Sequence, residues 1–78
     1  MNKQKRDEIA ILCHNIRQLR RKENLSKREM ARKLAIGEYS LTKIEKGILP
    51  PRLSCEIIFQ IDKEFGIRPK ELFSTIEQ

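Results

Sequence analysis

Few side chains in this sequence have the chemistry or the spacing that catalysis or metal binding requires. The 78 residues include one histidine, His14, and two cysteines, Cys13 and Cys55, in segments with helical periodicity. The cysteines form no Cys-x-x-Cys pair, and neither has a metal-ligand spacing to His14. The sequence also contains no nucleophile–base pair and no glycine-rich phosphate loop. We therefore predict no catalytic residue, metal site or cofactor, and two reduced, partly buried thiols.

Basic side chains are the second group with evident chemistry. Lys and Arg number 17 against 11 Asp and Glu, so the formal net charge is +6. A basic surface attracts polyanions such as nucleic acid through their phosphates. Charge alone is a weak indicator of the partner, which has to be inferred from the elements that carry these residues.

Length and composition limit the class of protein. A chain of 78 residues predicts a single domain over 1–78. Its core leaves little room for a deep substrate cavity, which argues against a self-contained enzyme. No apolar run approaches the ~18 residues that span a membrane, and the N-terminus lacks the apolar stretch of a secretory signal. We expect a cytoplasmic protein with neither a membrane nor a small molecule as its partner.

Apolar residues recur at steps of three or four along most of the chain, which predicts helices. No alternation of period two, the mark of a half-buried strand, is present. The turn residues divide the chain into five predicted helices, at about Lys5 to Glu23, Lys27 to Ala35, Glu38 to Lys46, Leu53 to Phe65 and Pro69 to Ser74. The predicted fold class is all-α.

Local signals set the helix ends. Ser26 and Glu29 have the spacing of a capping box, which starts the second helix at Lys27. Asn24, Gly47 and Gly66 stand where a left-handed residue can end a helix, and Gly37 can serve as an N-cap. Because proline disfavours helix at and before its own position, we predict an extended segment through Pro50 and Pro51.

The second and third helices have the residue types of a helix-turn-helix over about 27–46. Ala31 is small at the position where the third helix must cross the second. Four further positions are apolar and can hold both helices on the rest of the core, namely Met30, Leu34, Leu41 and Ile44. If Leu41 points inward, a rotation of 100° per residue directs four polar side chains outward. These are Tyr39, Thr42, Lys43 and Lys46.

Three motifs in this region are those of a known family. Leu-Ser-x-x-x-Met-Ala precedes the turn at Leu25–Ala31, Ile-Glu-Lys-Gly ends the third helix at Ile44–Gly47, and Phe-Gly-Ile-x-x-x-x-Leu-Phe occupies Phe65–Phe73. Together the run from Leu19 to Phe73 resembles the lambda-repressor-like helix-turn-helix domains (Cro/cI-type, also called Xre). The resemblance implies a five-helix fold and a transcriptional regulator, typically a repressor, which binds a palindromic operator in double-stranded DNA as a homodimer.

The resemblance implies base contacts from four residues of the third helix, Glu38, Tyr39, Ser40 and Lys43. Lys43 can donate to guanine O6 or N7, and Ser40 can pair with several bases. Tyr39 offers its ring to a thymine methyl group. Glu38 can accept from the cytosine amino group, or it can simply place a favourable charge at the helix N-terminus, and the sequence leaves both open.

Phosphate contacts are expected from helix N-termini and the basic residues near them. The candidates are Lys27, Arg28, Lys46, Arg17 and Arg52. Lys27 stands where the family commonly has a glutamine that touches phosphate. Each of these residues alone could equally be an ordinary surface charge, so the prediction concerns the set.

Arg20 and Glu45 match a pair that forms an ion pair in the family. Glu45 lies about 40° from Leu41 around the helix, which directs its carboxylate toward the edge of the core. A half-buried carboxylate needs a partner, and arginine can offer two parallel donors. We predict a structural clamp between helices one and three, and an additional phosphate contact from Arg20 is compatible with it.

Two positions depart from the family pattern, and one alternative function remains open. Ala35 stands where glycine is usual, so either the alanine adopts positive φ or Gly37 shifts the turn. The segment between Gly47 and Phe65 is also about two residues longer than usual. The same fold could instead serve as a protein-interaction module, such as an antitoxin or assembly partner. For a homodimer, we expect an interface at the C-terminal end, at Phe73 and Ile76.

Overall fold

The computed structural model describes the backbone of residues 2–73 and the side chains of 8–50 and 52–73. Within this part the chain forms helices and no strand, in the order α1 (Asn2–Lys22), α2 (Lys27–Leu34), α3 (Glu38–Glu45), α4 (Pro51–Phe65) and α5 (Pro69–Leu72). The predicted all-α class with five helices is therefore confirmed. The boundaries differ by a few residues, since α1 begins three residues earlier than predicted and α5 ends at Leu72.

A single apolar core lies between the helices. α2 packs against α3 and α4, while α1 packs against α3 and α5. Eight large side chains are fully buried in this core, namely Leu12, Ile16, Met30, Leu34, Leu41, Ile44, Ile57 and Ile61. The Asn15 side-chain amide on α1 donates to the Leu72 carbonyl at 2.6 Å, which ties the last helix to the first. The core thus holds α3 against α1 and α2.

The N-terminus of α2 is closed by the predicted capping box. The Glu29 N–H donates to Ser26 Oγ at 3.0 Å, and the Ser26 N–H donates to Glu29 Oε1 at 2.9 Å. The hydrogen bond from the Ser26 backbone lowers the pKa of the Glu29 carboxyl, because it stabilises the charged form. Glu29 is therefore ionised at neutral pH, and its negative charge also interacts favourably with the positive end of the α2 dipole.

Three successive helices end in the same backbone arrangement, a Schellman motif with a left-handed residue. At the end of α2 the left-handed residue is Ala35, with φ 61°. The Ile36 N–H donates to the Ala31 carbonyl at 2.9 Å, and the Ala35 N–H donates to the Arg32 carbonyl at 3.1 Å. Of the two possibilities left by the sequence, the alanine accepts positive φ, and Gly37 acts as the N-cap of α3.

The other two motifs follow the predicted stop signals. Asn24, with φ 55°, ends α1, and Gly47, with φ 95°, ends α3. In each motif the N–H of the next residue reaches back five positions, from Leu25 to the Arg20 carbonyl at 3.0 Å and from Ile48 to the Lys43 carbonyl at 2.9 Å. Tight turns therefore join α1 to α2 and α2 to α3. These turns restrict the movement of α2 and α3 relative to the helices before them.

The start of α4 corrects one prediction. The sequence predicted an extended segment through both prolines and a helix from Leu53, but α4 begins at Pro51. Pro50 is extended, with φ −63° and ψ 137°. Proline is well suited to the first helical position, because the N–H that it lacks would have no partner there. The prediction was wrong because it applied the rule for helix interiors to a helix start.

The two cysteines are free, as predicted, but their environments differ. Cys13 is buried in the core, and this burial raises the pKa of its thiol. Cys55 is exposed on α4, so the prediction of a partly buried thiol was wrong at this position. On the helix, Cys55 lies about 200° from the buried Ile57, and this angle could have identified its exposure from the sequence.

The positive φ of Ala35 predicts backbone strain in the turn between α2 and α3, and a glycine at this position would relieve it. Ala35→Gly should raise the free energy of unfolding by about 0.5–1 kcal/mol, because the relief of left-handed strain exceeds the extra backbone entropy of glycine. Thermal or urea unfolding measures the change. As a matched control, Ala10→Gly in the exposed middle of α1 should lower stability by about 1 kcal/mol. Equal destabilisation by both changes would contradict the strained turn.

Candidate nucleic-acid interface

The α2–turn–α3 unit presents one side of α3 to solvent and buries the other. Ala31 on α2 is 2% exposed, and Leu41 and Ile44 on α3 are completely buried. A small side chain at Ala31 permits the close approach of the two helices, and the two apolar residues fix the rotation of α3 about its axis. The remaining surface of α3 therefore has a defined direction, as a recognition element requires.

The solvent side of α3 is mostly polar. Tyr39 is 73% exposed, and Glu38, Lys43 and Lys46 are also exposed, whereas Ser40 and Thr42 are half-buried. The outward direction predicted for Tyr39, Lys43 and Lys46 is therefore present, and Thr42 lies nearer the core margin than predicted. We refer to Glu38, Tyr39, Ser40 and Lys43 as the α3 face.

The Lys43 ammonium lies over the Tyr39 ring, 5.0 Å from its centroid. The two residues are four positions apart, so their side chains meet on the same side of the helix. A cation over an aromatic face is attracted by the ring quadrupole, by about 0.5–1 kcal/mol at exposed sites. The contact restricts the lysine and directs its charge along the α3 face. The spacing of four residues was visible in the sequence, but this contact was not predicted.

Arg20 connects α1 with the start of α2 and the end of α3. Its Nε donates to Glu45 Oε2 at 2.6 Å, and its Nη2 donates to Glu45 Oε1 at 3.1 Å. The third nitrogen, Nη1, donates to the Leu25 carbonyl at 3.1 Å. The hydrogen bond to Glu45 raises the pKa of Arg20. The expected ion pair is thus present and bidentate, while the contact with Leu25 was not anticipated.

The burial of this ion pair determines its strength. The side chains of Arg20 and Glu45 are 17% and 7% exposed. In such a place solvent screens the charges only weakly, and each charge depends on the other for hydrogen bonds. The pair therefore fixes the C-terminal end of α3 against α1, which complements the apolar packing at Leu41 and Ile44.

The residues predicted to contact phosphate are all exposed. They are Arg17 on α1, Lys27 and Arg28 at the start of α2, Lys46 after α3, and Arg52 in the first turn of α4. At the start of α2 the Lys27 and Arg28 amides have no preceding helical carbonyl to bond, whereas the Glu29 N–H is already capped by Ser26. At the start of α4 Pro51 has no N–H and the Leu53 N–H bonds the Pro50 carbonyl, so only the Arg52 amide is left without a helical partner. No ion pair of a described carboxylate involves any of these five residues.

The described residues contain neither a candidate metal site nor a candidate membrane span. No group of three or more His, Cys, Asp or Glu side chains is arranged to hold a metal ion in that part of the chain. None of the helices within residues 2–73 combines the length and the apolar character needed to cross a bilayer.

An all-helical fold with an oriented α3 on a short turn defines the class as helix-turn-helix proteins. Comparison with protein families gives a match over residues 14–77 to a family described as helix-turn-helix domain. The chain belongs to this family, in agreement with its resemblance to the lambda-repressor-like domains. No curated protein and no solved structure matches the chain.

The buried ion pair leads to a prediction about stability. Glu45→Ala should lower the free energy of unfolding by about 2–4 kcal/mol, because it leaves the Arg20 guanidinium half-buried without its main acceptor. Glu45→Gln, which retains one acceptor oxygen, should lose less. Thermal unfolding of both variants, with Glu64→Ala on the exposed side of α4 as the control, provides the measurement. An unchanged melting temperature in Glu45→Ala would contradict the clamp.

Proposed function

We propose that the protein is a sequence-specific regulator of transcription that binds double-stranded DNA, with α3 in the major groove. The observation that carries the proposal is the α3 face, whose polar side chains project from a helix fixed by Leu41, Ile44 and the Arg20–Glu45 pair. In keeping with the family resemblance, the protein binds a palindromic operator as a homodimer and acts as a repressor in the cytoplasm. It uses no cofactor and catalyses no reaction.

Each residue of the α3 face has a role suited to its chemistry. Lys43 donates to guanine O6 or N7, and the Tyr39 ring supports its ammonium and contacts a thymine methyl group. Ser40, half-buried at the base of the face, donates to or accepts from a base edge at short range. Glu38 lies in the first turn of α3, where its charge favours the helix and can accept from a cytosine amino group.

The phosphate contacts come from exposed basic residues outside the α3 face. Lys27 and Arg28 combine positive side chains with the outward amides at the N-terminus of α2. Arg52 adds a positive side chain and one free amide in the first turn of α4, and Lys46 adds a charge at the C-cap of α3. Arg17, exposed on α1, adds a charge beside the ion pair of Arg20. These contacts carry no sequence preference but set the orientation of the domain on the duplex.

The composition of the α3 face favours DNA over a protein partner. A surface built for protein recognition has an apolar centre with few charges. On the α3 face Tyr39 is the one aromatic residue, and its ring is occupied by a lysine. The α3 face instead carries one acidic and one basic residue among hydrogen-bonding groups, which suits the base edges of a DNA groove better.

Selection of bound sequences from random duplex DNA tests the proposal directly. We expect enrichment of a palindromic sequence and a binding constant that falls steeply as salt rises, because phosphate contacts release counterions. The same titration with single-stranded DNA of equal length should give weaker binding. Failure to enrich any sequence, or an affinity indifferent to salt, would contradict the proposal.

Two substitutions separate base contacts from phosphate contacts. Lys43→Ala should relax the preference at one base pair of each half-site, at a cost of about 1–3 kcal/mol. Lys27→Ala should weaken binding to all sequences alike and reduce the salt slope by about 1 for each subunit. Lys70→Ala on α5 is the charge-matched control and should change neither quantity. Equal loss on all sequences with Lys43→Ala would remove this residue from the base contacts.

A further inference from the structure

The outer side of α4 carries a large apolar residue that neither the core nor the proposed DNA contacts involve. Phe59 is 69% exposed, although a phenylalanine gains more than most residues from burial. It lies about 200° around the helix from the buried Ile57 and Ile61, so the fold cannot cover it. Exposed Cys55 lies one turn before it on the same side. An isolated apolar residue at the surface is ordinary, so the surroundings of Phe59 are decisive.

A shallow groove of about 290 Å³ runs beside Phe59, between the C-terminal end of α2 and the middle of α4. Its lining consists of Leu34, Ala35, Glu56, Phe59, Gln60 and Lys63. We call it the α4 groove. Its volume is sufficient for one aromatic side chain.

Two opposite charges border the α4 groove. Glu56 and Lys63 are both exposed and lie seven residues apart, which is two turns or roughly 10 Å along the helix. Neither forms an ion pair with another residue of the described chain. Phe59 lies between them along α4, so the surface has a negative end, an apolar centre and a positive end.

We propose that the α4 groove is the interface of a symmetric homodimer, in which Phe59 of each copy inserts beside Phe59 of the other. This inference deepens the proposed function, which requires two copies on one operator. A two-fold axis beside Phe59 and Gln60 makes the two α4 helices antiparallel. Glu56 of each copy then lies opposite the second copy's Lys63, so the same ion pair forms twice.

The self-complementary charges are the reason for choosing a second copy as the occupant. A two-fold interface brings the same patch of both subunits together, so that every contact between two different residues occurs twice, once in each direction. An apolar centre with opposite charges at its two ends satisfies this condition. The burial of Phe59 supplies affinity, and the charge pairs, which are weak at a surface, set the antiparallel orientation.

This interface replaces the one expected from the sequence at the C-terminal end. Phe73 is half-buried and packs against the core, so it offers less surface than Phe59 does. Ile76, the other expected residue, lies outside the described residues. The α4 groove thus offers the larger exposed aromatic side chain.

Sedimentation equilibrium of the full chain without DNA, from low to high micromolar concentration, tests the proposal. We expect the wild type to dimerise and Phe59→Ser to weaken the dimer by about tenfold or more. Glu56→Lys and Lys63→Glu should each weaken it, since each places like charges opposite one another twice. The double variant Glu56→Lys/Lys63→Glu should restore the dimer to within about threefold of the wild type.

Controls make each outcome decisive. Lys22→Glu and Glu23→Lys reverse exposed charges at the end of α1, away from α4, and should leave the dimer unchanged. Because Phe59 is exposed, Phe59→Ser should leave the fold of the subunit intact. Its helical circular dichroism should equal that of the wild type, and its melting temperature should equal that of the wild type at concentrations low enough to keep the wild type monomeric. A monomeric wild type, a dimer unaffected by Phe59→Ser, or a double variant as weak as the single ones would each overturn the proposal. Since DNA is absent, these results are independent of whether the protein binds an operator.

Discussion

The bidentate bond between Arg20 and Glu45 is the contact on which the orientation of α3 depends. α3 has only eight residues, and an isolated helix of this length is unstable in water. Its packing at Leu41 and Ile44 fixes one side, but two apolar residues one turn apart leave the helix end free to tilt. The guanidinium of Arg20 restrains that end, and its bond to the Leu25 carbonyl connects the same restraint to the loop before α2.

This restraint explains how so small a protein can present a rigid polar surface. Side chains that contact DNA bases have to be held within a narrow range of positions, yet they cannot themselves be buried. In this fold the buried side of α3 supplies the rigidity and the exposed side supplies the chemistry. Lys43, held over the Tyr39 ring, is the one long side chain of the α3 face whose position is further restricted.

The same division applies to α4. Its inner side, with Ile57 and Ile61, completes the core beneath the helix-turn-helix. Its outer side carries Phe59 and the α4 groove, which the monomer leaves uncovered. A regulator of two subunits needs two surfaces, one for DNA and one for its copy, and we propose that α3 and α4 supply them.

The amino-acid sequence by itself determined the five helices and most of their ends, with the start of α4 as an exception, and it identified the α2–turn–α3 unit and the need of Glu45 for a partner. The choice of Arg20 as that partner came from the family resemblance. These features depend on residues a few positions apart, such as Ser26 with Glu29, or on a helical angle, such as that between Leu41 and Glu45. The exposure of Cys55 and Phe59 was accessible by the same angle, and the prediction for Cys55 failed because that angle was not applied.

Only the tertiary structure decided the features that depend on distances between helices. The third bond of Arg20, the half-burial of Ser40 and Thr42, and the groove beside Phe59 are of this kind. A helical angle gives the direction of a side chain, but the position of the neighbouring helix determines what that side chain meets. The left-handed conformation of Ala35 was also decided by the tertiary structure. The packing of α2 against α3 requires positive φ at this position, although an alanine disfavours it.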